Sequence, residues 1–364
     1  MHRLAVLTIF AVAGAPSLAA QGATIELRDN PDAKEFVISI GPIDLPAMSQ
    51  QTGHDHEAGG EHHGVMFLPP VQEVAIPFDT YLYGFRYELV DGDGNEVPSQ
   101  LLHHLNVIDP EHRDLFLPIS YRVAAVGSET GPLKMPWLLF GQPVEAGQRL
   151  VVVAMLHNPT GTAYRGVTVN FIFQYVKPGR PWPLFPVYSF QVDVAFPAGD
   201  KDFDLPPGRT TKSWEGSPSI DGRIVAIGGH LHDYAVNVTL EDVTDGKQIW
   251  QGEPILDDDG RLVGVTLGLL YRRLGVRIHT DHVYRVSVTY DNPTQDTIPN
   301  GGMGLVAGLF IPGIDEWPAA DVTDALYVLD RRHYLRMVRG SLDEIERSDS
   351  TAVGDRSRHS RRAM

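Results

Sequence analysis

The chain has 364 residues, with 36 glycines, 27 prolines, no cysteine and a formal net charge of −16. That length favours two domains over one, and the Gly and Pro content favours short strands joined by tight turns over long helices. The charge excludes a nucleic-acid partner, which requires a basic footprint, and without cysteine every thiolate site is excluded. Any metal has to be held by His, Met, carboxylates or backbone.

Residues 1–19 read as a secretory signal peptide. A basic lead ending at Arg3 precedes the apolar run from Leu4 to Ala15, and Ser17, Leu18 and Ala19 form a small-x-small cleavage site. The run is too short to span a bilayer. No later stretch is long and apolar enough to be transmembrane, so the mature chain is expected to be periplasmic or secreted.

Strand composition follows at Ile25 to Leu27, Phe36 to Ile40 and Leu82 to Val90. Between them lies a His-rich segment, with His54, His56, His62 and His63 among Asp, Glu and Gly. It suits an accessory metal arm and a flexible acidic loop alike. His103 and His104 come next, inside the apolar run Leu101 to Val107. Adjacent strand residues point to opposite faces, so a metal shared by this pair requires a strand end or a bulge. Taken alone, the pair serves metal binding and hydrogen-bonded core histidines equally. His112, beside Glu111 and Arg113, reads as a surface residue.

The run Leu150 to Leu156 ends in His157, followed by Asn158, Pro159 and Thr160. A second β run, Tyr284 to Tyr290, leads into Asp291, Asn292, Pro293 and Thr294. This echo suggests two related halves. Lys177 to Pro186, rich in proline, reads as the stiff connector between them.

In the second half, His230 and His232 lie two apart in a β context, where i and i+2 share a face. Gly228 and Gly229 precede them and allow the backbone to bend or approach closely. His279 and His282, near Asp281, suit a minor metal site and surface positions. Met303 sits among Gly301, Gly302 and Gly304. Leu326, Val328, Leu329, Leu335, Met337, Val338 and Leu342 are spaced as one amphipathic helix over residues 321–345. Residues 346–364 have the composition of a disordered tail.

The expected fold is all-β. Two tandem jelly-roll-like antiparallel β-sandwich domains, residues 24–178 and 187–318, are followed by the short C-terminal helix. Six side chains in four patches suit copper: His103, His104, His157, His230, His232 and Met303. Imidazole takes both oxidation states, and the thioether favours Cu(I).

A His-His pair, a later single His, a His-x-His and a final Met, in this order, resemble the ligand pattern of the copper type II, ascorbate-dependent monooxygenases. That family includes peptidylglycine α-hydroxylating monooxygenase and dopamine β-monooxygenase. The resemblance runs over roughly Asp79 to Pro312, and Val192 to Gly199 resembles the segment that opens the family's second domain. It implies two jelly-roll-like domains facing each other across a solvent-filled cleft, with two copper ions per chain. His103, His104 and His157 would hold an electron-transfer copper. His230, His232 and Met303 would hold the copper where O2 reacts, and these three are the expected catalytic set. Ascorbate or an equivalent external one-electron reductant would supply electrons.

The family's peptide-amidating members carry an Arg two residues before the His-x-His and a Tyr four residues after the Met. Those positions are Gly228 and Ala307 here, and the family's disulfides are missing. The sequence therefore leads to two functions. One is an exported dicopper monooxygenase that hydroxylates a C–H bond of a small organic molecule. The other is a non-enzymatic periplasmic copper protein, for storage, transport or sensing, on the same scaffold.

Overall fold

A computed structural model describes residues 17–19, 23–48, 66–69, 71–127, 130–179, 183–195, 201–258, 260, 262–313 and 316–333. The His54–His63 segment, residues 334–345 of the expected helix and the expected tail lie outside them, as do residues 1–16 of the expected signal.

The chain is a pair of β-sandwiches. In the first, one sheet runs Ser17–Ala19, Met66–Leu68, Arg149–His157, Leu102–Arg113, Ser120–Gly127, and Gln72–Ala75 also pairs with Arg149–His157. It packs on a second sheet ordered Phe185–Pro186, Phe140–Val144, Thr80–Val90, Tyr164–Val176, Glu35–Leu45, Thr24–Asn30. The second sandwich has two four-stranded sheets. One is Tyr188–Asp193, Gly304–Pro312, Gly222–Leu231, Val276–Ile278; the other is Gly208–Gly216, Tyr284–Asn292, Ala235–Asp242, Lys247–Gly252.

Alternation in the sequence makes these sheets two-faced. Phe36, Ile38 and Ile40 occupy every second position of one strand and are completely buried, as the two-residue period requires. Val286, Val288 and Tyr290 repeat this in the second sandwich, also at zero exposure. Each such side chain removed from water contributes about 1.5–3 kcal/mol.

The Asn-Pro-Thr echo is structural. Nδ2 of Asn158 donates to the carbonyls of Leu45, Pro46 and Thr162, while its Oδ1 accepts the amide of Thr160 at 3.0 Å. Nδ2 of Asn292 donates to Leu205 and Asp296, and its Oδ1 accepts the amide of Thr294, also at 3.0 Å. A buried amide satisfies the same loop backbone in both halves. That physical role explains why the tripeptide recurs.

Two features depart from the expected linear arrangement. Phe185–Pro186, the end of the expected connector, pairs in parallel with Phe140–Gly141 of the first sandwich. The chain beyond the second sandwich also returns to the first. Trp317 Nε1 donates to the carbonyl of Arg113, and the Tyr188 and Trp317 rings stack at 4.4 Å. The helix runs over residues 325–333, later than the expected start at 321. Asp321 instead forms a turn with Thr323, and Asp324 caps the helix by accepting the amide of Leu326 at 2.7 Å. Asp330 then docks the helix through a bidentate pair with Arg122, at 2.7 and 3.0 Å.

Candidate metal centre

His103 is the extra residue of a β-bulge. Met155 pairs with His104, but the next residue, Leu156, pairs with Leu102. A bulge breaks the two-face alternation. It brings two neighbours together that a regular strand would point apart. Their rings lie 4.2 Å apart between centroids, and His157, at the end of the adjacent strand, lies 5.3 Å from His103. Nε2 of His157 is 2.8 Å from the carbonyl of Gln100, which orients that ring.

In the second sandwich the rings of His230 and His232 are 5.2 Å apart and nearly perpendicular. The glycines before them serve close approach. A Cβ on Gly229 would stand 2.8 Å from the carbonyl oxygen of Leu305, and one on Gly228 would stand 2.7 Å from a methyl of Leu267. The same holds beside Met303, where a Cβ on Gly302 would meet the Phe203 ring at 2.4 Å and one on Gly304 would meet Val288 at 2.6 Å.

Met303 and His232 are tied to one atom. The Tyr290 hydroxyl accepts the amide of His232 at 3.0 Å and that of Met303 at 3.1 Å, and it donates to the carbonyl of Met303. Tyr290 is completely buried, so its hydroxyl sets the spacing of two segments distant in sequence. Nothing in the sequence singled out this residue, although it lies in the strand Tyr284–Asn292 that leads into the second Asn-Pro-Thr.

Asp193 was also missed. The register sets Asp193 opposite Leu305, and Leu305 opposite His230, in one cross-strand row. The carboxyl is 1% exposed, and one oxygen lies 3.6 Å from Nζ of Lys201. Burial raises its pKa above the ordinary carboxylate range, and the charges of Lys201 and His230 oppose that rise.

The two sets meet. The rings of His104 and His230 are in T-shaped contact at 5.7 Å. The resemblance implied a solvent-filled cleft between the domains, whereas here the two sandwiches touch through these imidazoles. Five rings run in sequence from His157 through His103, His104 and His230 to His232.

The residue types would suit copper: three imidazoles in the first set, and two imidazoles in the second with Met303, whose backbone shares the Tyr290 hydroxyl with that of His232. Imidazoles sharing one ion at metal–nitrogen distances of about 2.0 Å have centroids roughly 4.5–5.2 Å apart for bond angles near 90–110°. The pairs at 4.2, 5.3 and 5.2 Å lie close to that range. Among the described residues, the group of three His or carboxylate side chains with ligand atoms all within 4.8 Å of one another lies elsewhere, at Asp242, Asp245 and His282.

The positions where peptide-amidating enzymes carry Arg and Tyr are brought together. Gly228 and Ala307 are direct cross-strand partners, two residues from His230 along the strand. This patch carries no charge and no phenol, and Leu267 leans over it. His112 pairs with Asp109 at 2.7 Å. It remains 38% exposed, in keeping with the expected surface position.

No family model matches the chain, and no curated protein matches it. Among solved structures, the major capsid protein P2 from bacteriophage PM2 is similar over 76% of this chain and 98% of its own, with 12% identity and a TM-score of 0.34. PNGase F, a glycosylasparaginase from Flavobacterium meningosepticum, covers 77% of this chain and 96% of its own, with 11% identity and a TM-score of 0.35. Among the described residues, no helix is long and apolar enough to cross a membrane.

Proposed function

We propose that the chain is an exported, periplasmic or secreted dicopper monooxygenase. It would hydroxylate a C–H bond of a small, uncharged organic substrate with O2 and a one-electron donor. The observation that carries this reading is the convergence of His103, His104, His157, His230 and His232 where the two sandwiches meet, with Met303 held to His232 through Tyr290.

Copper held by the two trios would supply one stored electron at each and a site for O2 at the Met-bearing one. The chain's own residues do the rest. The bulge at His103 and the Gln100 carbonyl orient the first trio, and the Tyr290 hydroxyl holds the backbone of His232 and Met303 in the second. The contact of His104 with His230 leaves no wide gap for electrons to cross. Gly228 and Ala307 form a neutral floor beside His230, which disfavours a substrate carboxylate there and accepts an apolar group.

The deciding experiment compares copper stoichiometry and oxygen uptake for mature wild type and Met303→Ile. The proposal expects two coppers per chain and reductant-dependent oxygen consumption. Met303→Ile should lose the oxygen consumption and keep the copper of the His103 trio. Copper exchange without substrate-coupled oxygen use would replace this reading with that of a carrier or storage protein.

A further inference from the structure

The strands Gly222–Leu231 and Ala235–Asp242 carry the candidate centre at one end and a separate cluster at the other. At about 3.3 Å per residue, the run from Gly222 to His230 spans roughly 26 Å, so the two are independent. At the far end, an oxygen of Asp242 lies 2.8 Å from Nδ1 of His282. The ligand atoms of Asp242, Asp245 and His282 all fall within 4.8 Å of one another.

This cluster is built rather than accidental in spacing. Asp242 is only 6% exposed, and its second oxygen accepts the amide of Asp245 at 3.1 Å, which ties the Asp245 backbone to the Asp242 carboxylate. His282 sits in a turn closed by its own amide on the carbonyl of His279 at 3.2 Å. The next amide, that of Val283, donates to Oγ1 of Thr244 at 2.9 Å. The ring of His279 stands 5.1 Å from that of His282, and its Nδ1 is 3.7 Å from a carboxylate oxygen of Asp221. The sequence neighbour Asp281 is not the acidic partner; Asp242, remote in the chain, is.

We propose that Asp242, Asp245 and His282 form a second, separate binding site for a divalent transition ion of the zinc type. His279, whose ring is 5.1 Å from that of His282, is a further side chain able to complete its shell. Calcium and magnesium take shells of oxygen at six or more positions, whereas one imidazole with two carboxylates is a donor set for zinc. With metal–ligand bonds of about 2.0–2.2 Å, a nitrogen and an oxygen on one tetrahedral ion are roughly 3.3 Å apart. The His282–Asp242 contact therefore has to open by only about half an ångström.

The test is a calorimetric titration of the mature protein with Zn2+, comparing wild type, His282→Ala and Asp245→Asn. All other histidines are common to the three proteins, so their zinc cancels in the comparison. The expected result is one equivalent fewer in His282→Ala, and that equivalent weakened at least tenfold in Asp245→Asn, whose exposed side chain can be changed without loss of the fold. His230→Ala should retain it. Equal stoichiometry and affinity in wild type, His282→Ala and Asp245→Asn would overturn the proposal and leave His282–Asp242 as a structural ion pair.

Discussion

Tyr290→Phe isolates the device that joins His232 to Met303. The substitution keeps the ring, including its edge-to-face contact with Phe203 at 5.9 Å, and removes a single oxygen. That oxygen, on a side chain with no exposure, serves the buried amide of His232 and the partly buried amide and carbonyl of Met303. At about 0.5–1.5 kcal/mol net per hydrogen bond, the loss amounts to roughly 2–4 kcal/mol. Urea denaturation of the metal-free protein measures it as a lower midpoint at unchanged slope. On the proposed dicopper reading, the same variant should bind the copper of His230, His232 and Met303 about 10–100-fold more weakly, as expected when a group that orients ligands is lost. The other equivalent, at His103, His104 and His157, should be unaffected. A variant within about 0.5 kcal/mol of wild type, with both copper affinities unchanged, would refute the claim that this hydroxyl positions the site.

Two further perturbations test the frame around the site. Asp330→Ala leaves the Arg122 guanidinium buried at 5% exposure without its carboxylate; the cost should be about 3–5 kcal/mol, read by denaturation. Limited proteolysis should show release of the C-terminal segment. Asp114, completely buried, accepts the amides of Phe116 and Gln191 and so links the two sandwiches. Burial raises its pKa from 3.8 to about 7. Between these values the folded protein holds a proton that the unfolded chain has released, so this group's contribution to stability falls as pH rises through that window. The penalty is absent below it and complete above it, and reaches about 4 kcal/mol. The stability difference between Asp114→Asn and wild type should therefore shift in favour of the variant from about pH 4 to about pH 8; a pH-independent difference would contradict the assignment.

Much of the site was legible because its parts obey local rules. A metal shared by two adjacent strand histidines would require a bulge or strand end, and the register breaks at His103. The doubled Asn-Pro-Thr reflected a repeated need to satisfy buried loop backbone, and both asparagines do so. Glycines before His230 and around Met303 implied close approach, and each borders atoms that a Cβ would strike. Tyr290 and Asp193 escaped notice because their roles arise from partners on other strands, which no local pattern encodes.

By itself, the sequence determined the all-β class with its two sandwiches, and it named the five histidines whose rings the fold sets side by side. Hydrophobic period, turn residues and donor atoms are properties of single segments. Tertiary structure alone decided that His104 touches His230, that Asp242 rather than Asp281 partners His282, and that Trp317 and Asp330 return to the first sandwich. These contacts depend on how two cores settle against each other and on which buried charges find partners there. They belong to the packed molecule and to no stretch of its chain.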